Sequence, residues 1–419
     1  MKVLLRFLLA SVPALPLAAQ LQQGPLIGHV DTTSAKIWAR TSEPGNYELI
    51  ATSGETQFTA KAKAQFEHDL CVVFELDKLQ PDHRYRYTIR ATDGTEVSKS
   101  DDNQLHTAPV ATADGSVRLM FGSCCHEDEG TGNAWRRVAI EKPDTVVLLG
   151  DTPYIDNTQL RQQRIRYAAF AGFAPMADLL RTTSWYGTWD DHDFGINDTD
   201  GRVPGKATSR QVFLEYHANP SYGDGQRGIY CKFRRGPIEV FLLDTRTFAA
   251  MEPSPFKRHH ASLLGRGQWQ WLLDGLRKST APVKVLACGM IWNEATRPGK
   301  LDHWGSYPHE RQALFDAIGK HKTSGVVLVG GDIHRSRVIR HATKKSAGYD
   351  IVELITSPMH HSIIKAANAP HPGLLKDMGE PHTFLLLDAQ QLGGKATSVR
   401  ARFVNDEGTE HFAIDLLQN

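Results

Sequence analysis

The chain has 419 residues, with 48 Lys and Arg against 47 Asp and Glu, a formal net charge of +1. That balance offers a polyanion no global attraction and excludes the basic composition expected of a nucleic-acid binder. The length exceeds what one hydrophobic core usually serves, so two domains are expected. Past the first residues no stretch reaches the roughly 18 apolar residues of a membrane span.

Residues 1–19 read as a secretory signal peptide. Lys2 and Arg6 precede the apolar stretch Phe7 to Leu17, and Ala18-Ala19-Gln20 supplies small residues for cleavage. The expectation is a soluble exported protein, periplasmic or extracellular. It carries five cysteines, and an odd count in an oxidising compartment leaves at least one thiol unpaired. Cys124 and Cys125 are adjacent and strained against bridging each other, so one of them is the expected free thiol. Cys71, Cys231 and Cys288 read as small buried hydrophobes in strands, with any disulfide pairing left open.

From 23 to 110 the texture is all-β. Ala35, Ile37 and Ala39 alternate with Lys36, Trp38 and Arg40, and Cys71 to Phe74 and Tyr85 to Ile89 repeat the two-residue period between Gly, Pro and Asp clusters. The segment Leu79 to Tyr85 resembles the tyrosine corner of fibronectin type III sandwiches, which gives Tyr85 a structural role. Residues 101–115 read as a linker.

Beyond Val117, apolar strands alternate with helical patterns at Leu160 to Leu180, Gly267 to Arg277 and Glu310 to Gly319, so residues 115–419 read as an α/β domain. Its strands end on chemistry. Val117 to Phe121 runs into Gly122-Ser123-Cys124-Cys125, and Thr145 to Leu149 into Gly150-Asp151-Thr152-Pro153-Tyr154. Ser184 to Thr188 runs into Trp189-Asp190-Asp191-His192-Asp193, Val240 to Leu243 into Asp244-Thr245-Arg246, and Val326 to Val329 into Gly330-Gly331-Asp332-Ile333-His334. In an open α/β sheet the crevice beyond the carboxyl ends binds ligands. Carboxylates gathered there need cations to stay ionised.

These five motifs, in this order, resemble those of PhoD-like alkaline phosphatases, a branch of the calcineurin-like metallophosphoesterases. The resemblance spans about residues 115–360, and the preceding sandwich is similar to that family's amino-terminal domain. It implies a four-layer α/β/β/α metallophosphoesterase domain behind a fibronectin type III-like sandwich, and Fe3+ with Ca2+, two calcium ions, as cofactors. Carried onto this sequence, Asp151 bridges metals, Cys124 and Tyr154 bind the iron, and Asp332 and His334 complete the site. Asn197 supplies an amide to calcium and Asp191 a further oxygen. The family's two adjacent Asn are here Ile196-Asn197-Asp198. Thiolate, phenolate and imidazole suit iron, while carboxylate and amide oxygens suit calcium.

The implied reaction is hydrolysis of a small phosphate ester by metal-activated water or oxide, in a protein that works as a monomer. His192 contacts phosphoryl oxygens or protonates the leaving group. Arg246 either clamps an equatorial oxygen or pairs with Asp244 or another carboxylate. Two alternatives stand beside this: a phosphodiesterase or phospholipase on the same cluster, and a secreted binding protein without catalysis. His259-His260 read as solvated loop residues and Trp269 and Trp271 as packing, while His360-His361, just after another apolar strand, read either as pocket-rim residues or as loop residues without chemistry.

Overall fold

The computed structural model of the protein describes residues 19–98, 101 and 103–417, so the signal-peptide reading falls almost wholly outside them. At the amino-terminal end two sheets face each other. One has three antiparallel strands, Leu21–Val30, Ala35–Thr41 and Cys71–Leu76, and the other is built on Thr56–Ala64, Gly45–Ser53, Arg84–Ala91 and Glu96–Ser98. The two-residue period sets the packing: Ile37 and Ala39 point inward to Leu49, Phe74, Tyr87 and Ile89. Trp38, between them, faces out against the helical layer and Tyr216. The Tyr85 hydroxyl accepts from the backbone N–H of Gln80 at 2.8 Å, tying the strand back upstream. Part of the expected linker is itself a strand, Gln104–His106, paired with Arg84–Ala91.

The remainder is two stacked sheets between helices. The first, of six strands, places Ser184–Gly187, Thr145–Leu148 and Gly115–Gly122 in parallel and continues antiparallel through Thr383–Leu392, Lys395–Asn405 and Glu410–Asp415. The second, of seven strands, has a parallel centre of Ile238–Leu242, Val283–Ala287, Val326–Gly330 and Ile351–Ile355. Leu119 and Phe121 meet Val240, Leu242, Val327 and Val329 between the sheets. Met120, one position out of phase, packs with Trp135, Val138 and Phe170 on one helical layer. Phe241 and Leu328 do the same against Trp269, Leu272 and Leu314 on the other. Strands buried on both faces read as continuous apolar runs, and each fully buried Val, Leu or Phe contributes about 1.5–3 kcal/mol. The architecture is therefore α/β/β/α.

The helical patterns at 267–277 and 310–319 fall in Gly265–Lys278 and Pro308–Lys320. The pattern at 160–180 is broken into Leu160–Ala171 and Ala174–Leu180, because Gly172 ends the first turn run and Pro175 opens the next helix. All five cysteines are buried and none is paired with another.

Candidate metal centre

The parallel strands end together, and the chain turns sharply at each end. Cys124, Asp151, Asp332 and His334 all have positive φ, at 55°, 52°, 67° and 49°, a region L-residues rarely occupy. Gly150 makes one close approach feasible: a Cβ there would lie 2.2 Å from the backbone N of Asp190. The bends aim side chains at a common point. The donor atoms of Cys124, Asp151 and His334 lie within 4.8 Å of one another, as do those of Asp151, Asp191 and His192, and those of Asp151, Asp190, Asp191 and Asp332. Asp151 is shared by all three groups.

Neighbouring side chains hold the donors in place. The Cys124 thiol is 3.5 Å from Asp151 Oδ2, and Ser357 donates to it at 3.2 Å. The Tyr154 hydroxyl lies 3.0 Å from His334 Nε2 and 3.1 Å from His360 Nε2. His192 Nδ1 is fixed by Asp156 at 2.6 Å, and the His192 carbonyl accepts from the N–H groups of Ile155 and Asp156. Lys300 donates to Asp198 at 2.6 Å and to Asp332 at 3.2 Å.

The electrostatics are those of a centre that favours positive charge. Burial, then Asp191, Asp190, Asp193 and Asp332, push the Asp151 carboxyl far above the usual range. Burial also raises Asp190 well above it, Asp193 to about 8 and Asp332 to about 6. Asp191 goes the other way: burial opposes its ionisation, but Arg246, His192 and Lys300 outweigh it and hold the carboxyl at about 2. Burial raises the Cys124 thiol and the Tyr154 phenol and lowers His334 to about 4. Of the buried side-chain atoms without a hydrogen-bond partner among the described residues, four belong to this cluster: Asp151 Oδ1, Asp190 Oδ2, Asp332 Oδ2 and His334 Nδ1. Orphans of this kind demand an explanation, and a cation among them provides one.

Two sequence expectations meet the geometry differently. Arg246 does not offer a phosphate clamp: it is 1% exposed, and all five guanidinium N–H donors are taken by Asp190, Asp302 and the Thr199 carbonyl. Of the carboxylates considered from sequence, its guanidinium partners are not Asp244 but the neighbouring Asp190 and Asp302. The Asp244 carboxylate instead accepts from the backbone N–H groups of Ile229, Arg246 and Thr247. Asn197 is exposed, and beside it Asp198, also exposed, has a carboxylate oxygen grouped with those of Asp191 and Asp302.

The structure also adds residues that sequence reasoning does not assign to the site. His360, read as a pocket-rim or a loop residue, is 1% exposed against Tyr154. Asp190 sat beside the residue chosen, within a quoted motif. Lys300 and Asp302 lie in the long loop after Val283–Ala287, where no motif marks them. His259 and His260 are exposed as expected, and Trp269 is buried in packing.

A four-layer α/β/β/α scaffold with an acidic, histidine-bearing donor cluster at its strand ends defines the class, a metallophosphoesterase-type fold. A family model described as PhoD-like phosphatase matches residues 119–393, and the chain belongs to that family. A second model, a domain of unknown function (DUF7800), matches residues 18–110. Over 329 residues the chain is 28% identical to alkaline phosphatase D of Bacillus subtilis (strain 168), covering 66% of this chain and 55% of that protein. The chain thus spans about half the length of this relative. The solved structure of PhoD matches with a TM-score of 0.73 at 18% identity, covering 97% of this chain and 94% of that one. Purple acid phosphatase PPD1 from yellow lupin (Lupinus luteus) seeds matches at 0.71 and 11% identity, covering 93% and 73%. The two structural likenesses carry the fold.

Proposed function

We propose that the protein is a secreted metal-dependent phosphoesterase of the alkaline phosphatase D type, which hydrolyses small phosphate esters and releases phosphate. The observation that carries this reading is the convergence of unpartnered Asp151, Asp190, Asp332 and His334 atoms at the strand ends. Family membership supplies the reaction class. The domain division proposed with it is a fibronectin type III-like sandwich over 23–110, a reading supported by the two amino-terminal sheets and the Tyr85 tie, followed by a catalytic domain over 115–419.

The donor set fits the implied metals. Cys124, Tyr154 and His334, with Asp151 and Asp332, would hold Fe3+, while Asp191 with Asp198 and Asp302 offers hard oxygens suited to Ca2+. When bound, the metals supply Lewis acidity, neutralise phosphoryl charge and lower the pKa of water. The chain's own residues do the rest. Asp156 occupies His192 Nδ1 and so leaves Nε2 as the nitrogen that protonates the leaving alkoxide. Arg246 and Lys300 hold the crowded carboxylates in place. Burial of the cluster keeps bulk water from screening these charges.

The test pairs turnover with metal content. Asp332→Asn should keep the wild-type circular dichroism but lose metal and reduce hydrolysis of a chromogenic monoester by more than about 100-fold, since even outer-shell losses reach that size. Near wild-type turnover with full metal content would refute the assignment. A diester assayed in parallel measures the preference between the two ester classes.

A further inference from the structure

We propose that His126, Asp128 and His361 form a second metal site, at the rim of the central cluster, for a zinc-class divalent cation. The three donor atoms lie within 4.8 Å of one another and none belongs to the groups that share Asp151. His126 and Asp128 come from the loop after Gly115–Gly122, and His361 from the loop after Ile351–Ile355.

Distances and chemistry agree. His126 Nδ1 is 3.7 Å and His361 Nδ1 3.5 Å from the same oxygen, Asp128 Oδ2. These separations exceed an ordinary hydrogen bond. They approach the roughly 3.3–3.4 Å edge of a tetrahedron with zinc–nitrogen and zinc–oxygen bonds of about 2.0–2.1 Å. Two imidazoles with one carboxylate suit zinc and its transition-metal neighbours rather than calcium or magnesium.

The donors are also oriented. Asp128 caps the helix Glu129–Glu141, its Oδ1 accepting from the Thr131 N–H at 2.8 Å. This fixes the carboxylate and leaves Oδ2 for a cation. The His126 ring lies 4.4 Å from that of His360 and 4.8 Å from that of Tyr154, so packing limits its rotation. The positive end of the helix dipole opposes a cation here, but that effect is small beside three coordinate bonds. The His361 side chain is 69% exposed, which places the site at solvent. Three protein donors leave a fourth position for water or for an anionic oxygen of a bound ester.

The experiment titrates the full-length protein, with its central site loaded, with Zn2+ by calorimetry and with Co2+ by visible absorption. One further equivalent should bind, with the absorption of tetrahedral Co2+. His361→Ala and Asp128→Asn should each weaken that binding about tenfold or more, and Asn at 128 retains the helix cap. His334→Ala should keep the rim equivalent while losing central metal. Absence of a further equivalent, unchanged affinity in both rim variants, or its loss in His334→Ala would each overturn the proposal.

Discussion

Four residues at the strand ends hold a backbone conformation that works against folding. Positive φ at Cys124, Asp151, Asp332 and His334 costs about 1–3 kcal/mol apiece, and the return is that their side chains converge. If that is the bargain, His334→Gly and His334→Ala should lose activity alike, yet the Gly variant should be more stable by about 1 kcal/mol, because glycine adopts the left-handed region freely. Equal stabilities in denaturant unfolding would argue against stored strain at this position. The adjacent thiols divide by direction. Cys124 faces Asp151, whereas Cys125 Sγ packs 3.4 Å from Met359 Sδ in the apolar layer. Cys124→Ser is therefore expected to lose the proposed iron and the visible thiolate absorption it would give. Cys125→Ser should retain both and melt lower, since a hydroxyl in that layer costs about 1–3 kcal/mol. Iron lost only on replacing Cys125 would reverse the assignment.

The loops act as units that carry charge to the centre. Arg246, in the loop after Ile238–Leu242, binds Asp190 from one loop and Asp302 from another. Removing it strands buried carboxylates. Arg246→Met should destabilise the metal-free protein by about 3–5 kcal/mol, and Arg246→Lys by less, since it restores charge without the planar fork. Had Arg246 clamped phosphate, the same substitution would raise KM and leave unfolding unchanged, so paired kinetics and denaturation distinguish the two roles. The contrast between loops also explains what was legible in sequence. Strands buried on both faces wrote themselves as apolar runs, and a donor placed directly after such a run, as with Asp151 or Asp332, was marked by position. Lys300 and Asp302 reach the centre from far along an irregular loop, where no period links sequence to direction, and His360 follows its strand closely but carries no motif that marks its side chain's direction. Arg246 was visible but its partners were not, because they belong to other strands' loops.

At the scale of the whole molecule, the amino-terminal sheets are bonded to the rest along a seam. Trp38 Nε1 donates to the Glu215 carbonyl at 2.7 Å, and the His29 N–H to that of Ala218 at 2.7 Å. Gly28 lies so close that a Cβ would fall 2.4 Å from that of Ala218. A half-buried and a buried histidine, His29 and His217, line this seam. His29 Nδ1 faces the Tyr186 hydroxyl at 3.1 Å, and His217 stacks on Phe213 at 3.7 Å. Burial lowers His29 to about 4 and His217 to about 3. Unfolded, each titrates near 6.5, so between these values the unfolded chain binds more protons than the folded one. Their contribution is then full above pH 6.5 and is lost as pH falls toward 4 and 3, with a slope of up to about 1.4 kcal/mol per pH unit for each group. His217→Gln, which cannot take up that proton, should show a shallower loss of unfolding free energy than wild type between pH 6.5 and 4, and His29→Gln likewise. Parallel pH profiles for wild type and both variants would place the acid sensitivity elsewhere. Shallower profiles would assign it to the seam, where protonation drives charge into the layer that joins the amino-terminal sheets to the site-bearing fold.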